Sequence, residues 1–313
     1  MTRASLTVLI SVAMLAANIA TPNDASAFCR MTTDDDTQVG DAVCSGTGTP
    51  LAWDEACIPY SIDERGSIWL SQGDVEDAIT ASFDAWQSTS CSGEEPNVIF
   101  QMGEPSTCQE SQFNDDGRPN VNTVAFLDPW ERPNGDPLDP RAFAVTIVWF
   151  RNDGQILDAD ILINEELGPY DLCPDTGCPE GTFANPGPAD LQSIVTHEVG
   201  HIIGIGHSTD PTATMFAQAP RTEVQKRTLG QDDIEAVCTI YPPGNLNASC
   251  DATPFNGLDL NCEDALPPVP QSSGGCSASS FDAAGAAPIG GALLLLLAAT
   301  AMRRRSRRLD ARS

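Results

Sequence analysis

Apolar positions along this 313-residue chain change their period several times, and each change marks an element. Over 57–63, Ile58, Tyr60 and Ile62 alternate with other residues, the period of two that predicts a strand. From Asp74 to Ser90, Val75, Ile79, Phe83 and Trp86 recur at steps of four, four and three, which places them on one face of a helix. Three further apolar runs, NVIFQM (97–102), NTVAFLD (122–128) and AFAVTIVWF (142–150), read as strands between loops rich in Pro, Gly, Asn and Asp. Asn152-Asp153-Gly154 predicts a hairpin from the last of these into QILDADILI (155–163). After a Gly-, Pro- and Cys-rich loop over 164–188, the helical period returns with Leu191, Ile194, Val195, Val199, Ile202 and Ile203, behind Asp190 as N-cap. A last helix, Gly230 to Tyr241, turns Ile234, Val237 and Ile240 inward and is stopped by Pro242-Pro243. Five strands and three helices predict an α+β fold.

The ends carry a different pattern. Residues 1–27 combine Arg3, an apolar run over 6–20 and a small Ala25-Ser26-Ala27 site, the make-up of a secretory signal peptide, with maturation expected near Phe28. Residues 283–302 are uncharged and precede Arg303, Arg304, Arg305, Arg307 and Arg308. A helix of ~20 such residues matches a ~30 Å hydrocarbon core, so a membrane segment with a basic tail is expected over 283–313. Between the ends lie a polar N-terminal strap (28–49), one domain (50–243) and a Pro-, Asn-, Ser- and Gly-rich linker (244–282).

Charge and cysteine content narrow the class. The net charge is −28, and residues 28–276 hold 9 basic against 41 acidic groups, because Asp24, Asp282 and Asp310 are the acids outside that range. Such a surface repels nucleic acid and anionic lipid. Eleven cysteines behind an export signal imply disulfides made in an oxidising compartment. Ten can pair; Cys173 with Cys178 can close a small loop, Cys29 with Cys44 can clip the N-terminus, and Cys276, in QSSGGCSASS, is the odd one out.

All three histidines of the chain fall in HEVGHIIGIGHS, 197–208. His197 and His201, four apart on a helix, project from one face and can reach a single zinc ion. Gly204 tolerates the left-handed turn that brings His207 back to the same point. Glu198, beside the first histidine, is placed to take a proton from metal-activated water and pass it on, a general base and not a ligand. No other imidazole exists, so one histidine-bound zinc is expected.

HEVGHIIGIGHS resembles the long zinc signature of the metzincin metallopeptidases, and Ala213-Thr214-Met215 resembles their methionine turn. Ser208 with Asp210-Pro211, and LGQDDIEAVCTIYP (229–242), are similar to the matrixin branch. The resemblance implies a metzincin-like domain with a twisted five-stranded mixed sheet and three helices. It also implies zinc held by His197, His201 and His207, Glu198 as the base, Met215 beneath the metal, and hydrolysis of peptide bonds in a protein or peptide substrate by a monomer. By the same analogy, AFAVTIVWF is the sheet edge to which a peptide adds as a strand, and Phe216 with the following AQAP walls a pocket. A non-catalytic zinc-containing surface adhesion or binding module is the alternative reading, against which Glu198 argues; hydrolysis of a non-peptide amide is a third.

Two departures from the matrixins stand out. No cysteine-switch motif of the PRCGxPD kind precedes the domain, and no histidines remain for a second, structural zinc. Calcium is a substitute, through Asp158 and Asp160 or through Asn152 and Asp153, whose oxygens suit a hard cation; ordinary solvated acids are the other reading. The tail is similar to sorting signals of myxobacterial and related Gram-negative surface proteins. That likeness makes Cys276 a processing or lipid-attachment residue and implies a cell-surface or extracellular location, with membrane contact through the tail before processing.

Overall fold

A strand-helix-strand start sets the frame. In the computed structural model, Cys57–Ile62 forms β1, Gln72–Gln87 forms α1 and Ile99–Met102 forms β2, followed by β3 (Thr123–Leu127), β4 (Ala144–Phe150) and β5 (Ile156–Asn164). The structure describes residues 28–34, 47–108, 112–131, 138–182, 186–244, 252–262 and 278–280. The expected signal segment 1–27, Cys44, Cys276 and the run 283–302 lie outside the described residues. Among the described residues no helix is long and apolar enough to cross a membrane.

The five strands order as β2-β1-β3-β5-β4, parallel except for β4, which pairs antiparallel with β5. That is the five-stranded mixed sheet of the expected α+β fold, with three helices: α1, α2 (Leu191–Ile202) and α3 (Gln231–Ile240). The hairpin at 152–154 is present, with Gly154 at φ 90°. Within the loop over 164–188, Tyr170–Asp171 is β6, and it pairs with β7, Ala189–Asp190, at the end of the loop. A short β8, Ala278–Ser280, runs parallel to Val148–Phe150 of β4.

Two apolar clusters sandwich the sheet. On one face Val75, Ile79, Phe83 and Trp86 of α1 and Val195, Val199 and Ile202 of α2 pack with Ile58, Tyr60, Ala159, Ile161 and Ile163. On the other, Leu127, Trp130, Leu138, Ile147, Trp149 and Leu162 form a smaller cluster, with Phe113 against it. Phe255 stacks on Phe113, and Thr107 N donates to Leu260 O, so part of the expected linker docks on the domain; the Cys108–Cys262 disulfide fastens it. Every position of β5 is consequently buried, including both aspartates. Cys91–Cys238 ties the end of α1 to α3, and Cys173–Cys178 closes the small loop the spacing allowed. Cys29 and Cys57 are disulfide-bonded as well.

One orientation differs from the periodic reading. On α3 the buried residues are Asp232, Asp233, Ala236 and Val237, while Ile234 and Ile240 are half-buried. The helix is rolled because Asp233 is drawn inward to accept from the Thr214, Met215 and Gly230 N–H groups.

Candidate metal and catalytic site

Helix α2 begins where Asp190 accepts from Ser193 N at 2.8 Å, an N-cap that satisfies one of the free amides of the first turn. Its place over the sheet is fixed from α1: Trp86 Nε1 donates to Thr196 O at 2.8 Å and Ser82 Oγ to Gln192 O at 3.1 Å. Trp53 Nε1 donates to Ile202 O at 2.8 Å and Tyr241 OH to Ile203 O at 3.2 Å, taking up carbonyls that a helix end leaves free.

Beyond Ile202 the chain turns at Gly204, whose φ is +82°. A Cβ there would stand 2.5 Å from Leu51 O, so both the conformation and the space call for glycine. The strap then holds the outgoing segment: Met31 N donates to Gly204 O and Gly206 N to Cys29 O, each at 2.9 Å. The result brings His207 back to the helix. Ring centroids lie 5.0 Å apart for His197 and His201, 5.3 Å for His197 and His207, and 4.9 Å for His201 and His207. One ring nitrogen from each of the three lies within 4.8 Å of the others.

The chemistry of this donor set fits a zinc ion. His197 Nδ1 lies 2.7 Å from Thr214 O and His201 Nδ1 2.8 Å from Ile205 O; since a carbonyl only accepts, each Nδ1 carries the proton and each Nε2 is the nitrogen that can ligate. Burial pushes all three imidazoles down, His201 to about 3 and His207 to about 4, and His197 well below its ordinary value. They are neutral at physiological pH, the form a metal requires.

Glu198 shares the helix but faces β4. Thr146 Oγ1 donates to Glu198 Oε2 at 2.7 Å, and burial pushes the carboxyl up to about 7, opposed by that hydrogen bond and by the charge of Lys226. Met215 lies underneath: a Cβ on Gly200 would collide with Met215 Sδ and come within 2.8 Å of the Trp86 ring. The turn carrying Met215 is held by Ser208 N donating to Met215 O at 2.8 Å and by the Asp233 carboxylate; Ser208 Oγ in turn donates to Asp232 Oδ2.

The structure therefore assembles His197, His201, His207, Glu198 and Met215 in one place. Asp158 and Asp160 are elsewhere, on the sheet face of the smaller cluster, and both are fully buried, which removes the reading of them as solvated acids. Asp160 accepts from Thr123 N at 2.8 Å and Gln112 N at 3.0 Å, whereas neither oxygen of Asp158 has a hydrogen-bond partner. Burial, and for Asp158 the Asp160 charge beside it, pushes both carboxyls well up. Asn152 and Asp153 stand exposed in the hairpin turn.

Three residues of the site escaped the periodic reading. Thr146 is the polar member of an otherwise apolar strand, and Asp233 falls on the inward face of α3. Lys226 is the sole lysine of the chain; its ammonium donates to Phe216 O, lies 3.4 Å from His197 Nδ1, and is lowered to about 8 by burial.

Comparison with known proteins adds three findings. The Matrixin peptidase family matches residues 52–242. Neutrophil collagenase of Homo sapiens is 40% identical over 191 residues, covering 60% of this chain and 33% of that protein. Matrix metalloproteinase-16 of Homo sapiens is 26% identical over 201 residues (62% and 28%), and metalloendoproteinase 1 of Glycine max is 42% identical over 52 residues (17% of each). The chain thus spans between 17% and 33% of the length of these relatives.

Proposed function

Because the chain belongs to the matrixin family, we propose that it is a zinc-dependent endopeptidase in which His197, His201 and His207 hold the metal and Glu198 is the general base. The observation that carries this reading is the convergence of three neutral imidazoles, two buried and one half-buried, beside a carboxylate that is itself hydrogen-bonded to β4. A zinc ion held there supplies Lewis acidity toward the scissile carbonyl and a nucleophile from water at neutral pH. The chain's own residues do the rest. Thr146 fixes Oε2 of Glu198, so the carboxylate is oriented before substrate arrives. Glu198, next to the first of the three histidines, is placed to accept the proton of the attacking water and release it to the leaving amine. Met215 and Gly200 keep the floor of the site closely packed.

The substrate is a protein or peptide. β4 forms the edge of the five strands and carries Thr146 next to Glu198; β8 pairs with Val148, Trp149 and Phe150, so Ala144–Ile147 is the stretch to which an extended peptide adds. A monomer is part of the same proposal. Export and attachment at the cell surface, through 1–27 and Cys276, belong to the same proposal; eight disulfide-bonded cysteines among the described residues support an oxidising compartment. For calcium the support is Asp158, whose oxygens are buried without partners. Two carboxylates are fewer than the roughly 6–8 oxygens calcium takes, so the ion would complete its shell with water and backbone carbonyls.

Casein digestion by wild type and by Glu198→Ala, each brought to equal zinc content, tests the enzyme reading. The substitution is expected to lower the rate about a hundredfold or more while zinc binding is kept. Equal rates for the two proteins, or a zinc-loaded wild type that cuts nothing, would leave the non-catalytic binding module as the better account.

A further inference from the structure

A buried lysine without an acid partner stands against the zinc-binding cluster. Residues 28–276 hold nine basic groups, three of them at 221, 226 and 227. Arg227 is paired with Asp190, and Arg221 donates to Leu167 O and Gly187 O and lies over the Phe143 ring. Lys226 is different. It is 8% exposed, and among the described residues no carboxylate comes within ion-pair distance, in a chain with 44 acidic residues. Glu223 is the nearest in influence, followed by Glu198 and Asp233, but the Glu223 side chain accepts from the Lys226 backbone N–H instead.

An ammonium has three donors. Phe216 O takes one of them, and His197 cannot take another, because its Nδ1 proton is directed at Thr214 O. A desolvated cation with open donors costs several kcal/mol unless an anion completes it. Lys226 is one imidazole ring away from the metal-binding nitrogens, and in the segment that begins at Phe216, whose carbonyl it binds, Phe216, Ala217 and Ala219 are half-exposed, with Gln218 exposed.

Resting on the endopeptidase reading above, we propose that Lys226 is a specificity-determining residue that receives the carboxylate of an aspartate or glutamate adjacent to the scissile bond. The protein's acidic surface offers such substrates no general attraction, so the preference is local to this one cation. Lysine suits the role because a compact ammonium presents its donors to one acceptor at close range, where a guanidinium would need room for its fork.

The test is a digest of a peptide library by zinc-loaded full-length protein, with cleavage sites read by mass spectrometry, followed by kcat/KM for matched peptides carrying Glu or Gln next to the cut bond. Wild type is expected to show acidic residues enriched beside the bond and to favour Glu over Gln roughly tenfold, the worth of a charge-assisted hydrogen bond. Lys226→Met is expected to bring that ratio near one, and Lys226→Arg to keep part of it. A wild-type profile without acidic enrichment overturns the proposal without reference to any variant's folding, and so does a Glu/Gln ratio that Lys226→Met leaves unchanged. Cleavage at sites lacking acids would refute the role of Lys226 alone; absence of any zinc-dependent cleavage would refute the endopeptidase reading with it.

Discussion

Among the described residues Asp158 has no hydrogen-bond partner at the centre of the sheet, and its energetics follow from that position. Its carboxyl is raised by burial first and by the Asp160 charge second, so the folded state binds its proton more tightly than the unfolded chain does. The stability this contributes is fully present below the ordinary aspartate range and is lost as pH rises through the raised folded value. In chelator, Asp158→Asn is therefore expected to gain on wild type in thermal melts as pH rises from about 4 toward neutrality. Added calcium is expected to raise the wild-type melting temperature and leave that of Asp158→Asn unmoved. A stability difference that is flat across this range, with no calcium effect, would show that folding does not raise the Asp158 carboxyl and that it holds no cation. Period two in QILDADILI sets these two aspartates on one face with Leu162, but does not reveal the cover that Phe113 and Trp130 give that face. That cover comes from segments far away along the chain, and strand periodicity carries no record of it.

Helix α2 was legible because it needs only local signals: an N-cap at Asp190, one apolar stripe, and a glycine where the helix must stop. What periodicity could not convey is how tightly this helix sits on its neighbours. Gly200 falls in the middle of a helix, where glycine costs about 1 kcal/mol relative to alanine by propensity alone. Here the expected sign is reversed. A methyl group at 200 meets Met215 Sδ and the Trp86 ring, both nearly inaccessible, so Gly200→Ala is expected to destabilise by about 1–3 kcal/mol and to weaken zinc binding by displacing the turn under the histidines. Chemical denaturation and zinc competition titrations read the two effects; a variant as stable as wild type would mean that the Met215 turn yields without consequence. The last helix shows the opposite limit of sequence reading. Its hydrophobic face predicted Ile234, Val237 and Ile240 inward; Val237 and Ile240 pack on the core, but Ile234 gives way to Asp233, which satisfies three backbone N–H groups around the methionine turn.

At the scale of the whole molecule, strands, helices and the histidine cluster were readable from period and spacing, and the family likeness from the resemblance of HEVGHIIGIGHS and the Met215 segment to known signatures. The sheet order was not. Nothing local in 57–62 or 123–127 says that β1 lies between β2 and β3, or that β5 pairs with both β3 and β4. Long-range ties were equally hidden: Cys91–Cys238 and Cys108–Cys262 join residues 147 and 154 apart, and many connectivities are compatible with the same count of cysteines. The strap along 204–206 brings one such distant segment to bear on the small volume around three imidazoles. The central claim is that this volume is a single zinc site and that peptide hydrolysis happens there. Titrating zinc into the metal-free protein while following cleavage of a fluorogenic peptide tests it most directly. Activity is expected to rise linearly, break at one equivalent of zinc and then stay level; activity that persists without metal, or that needs a second equivalent, would contradict the account.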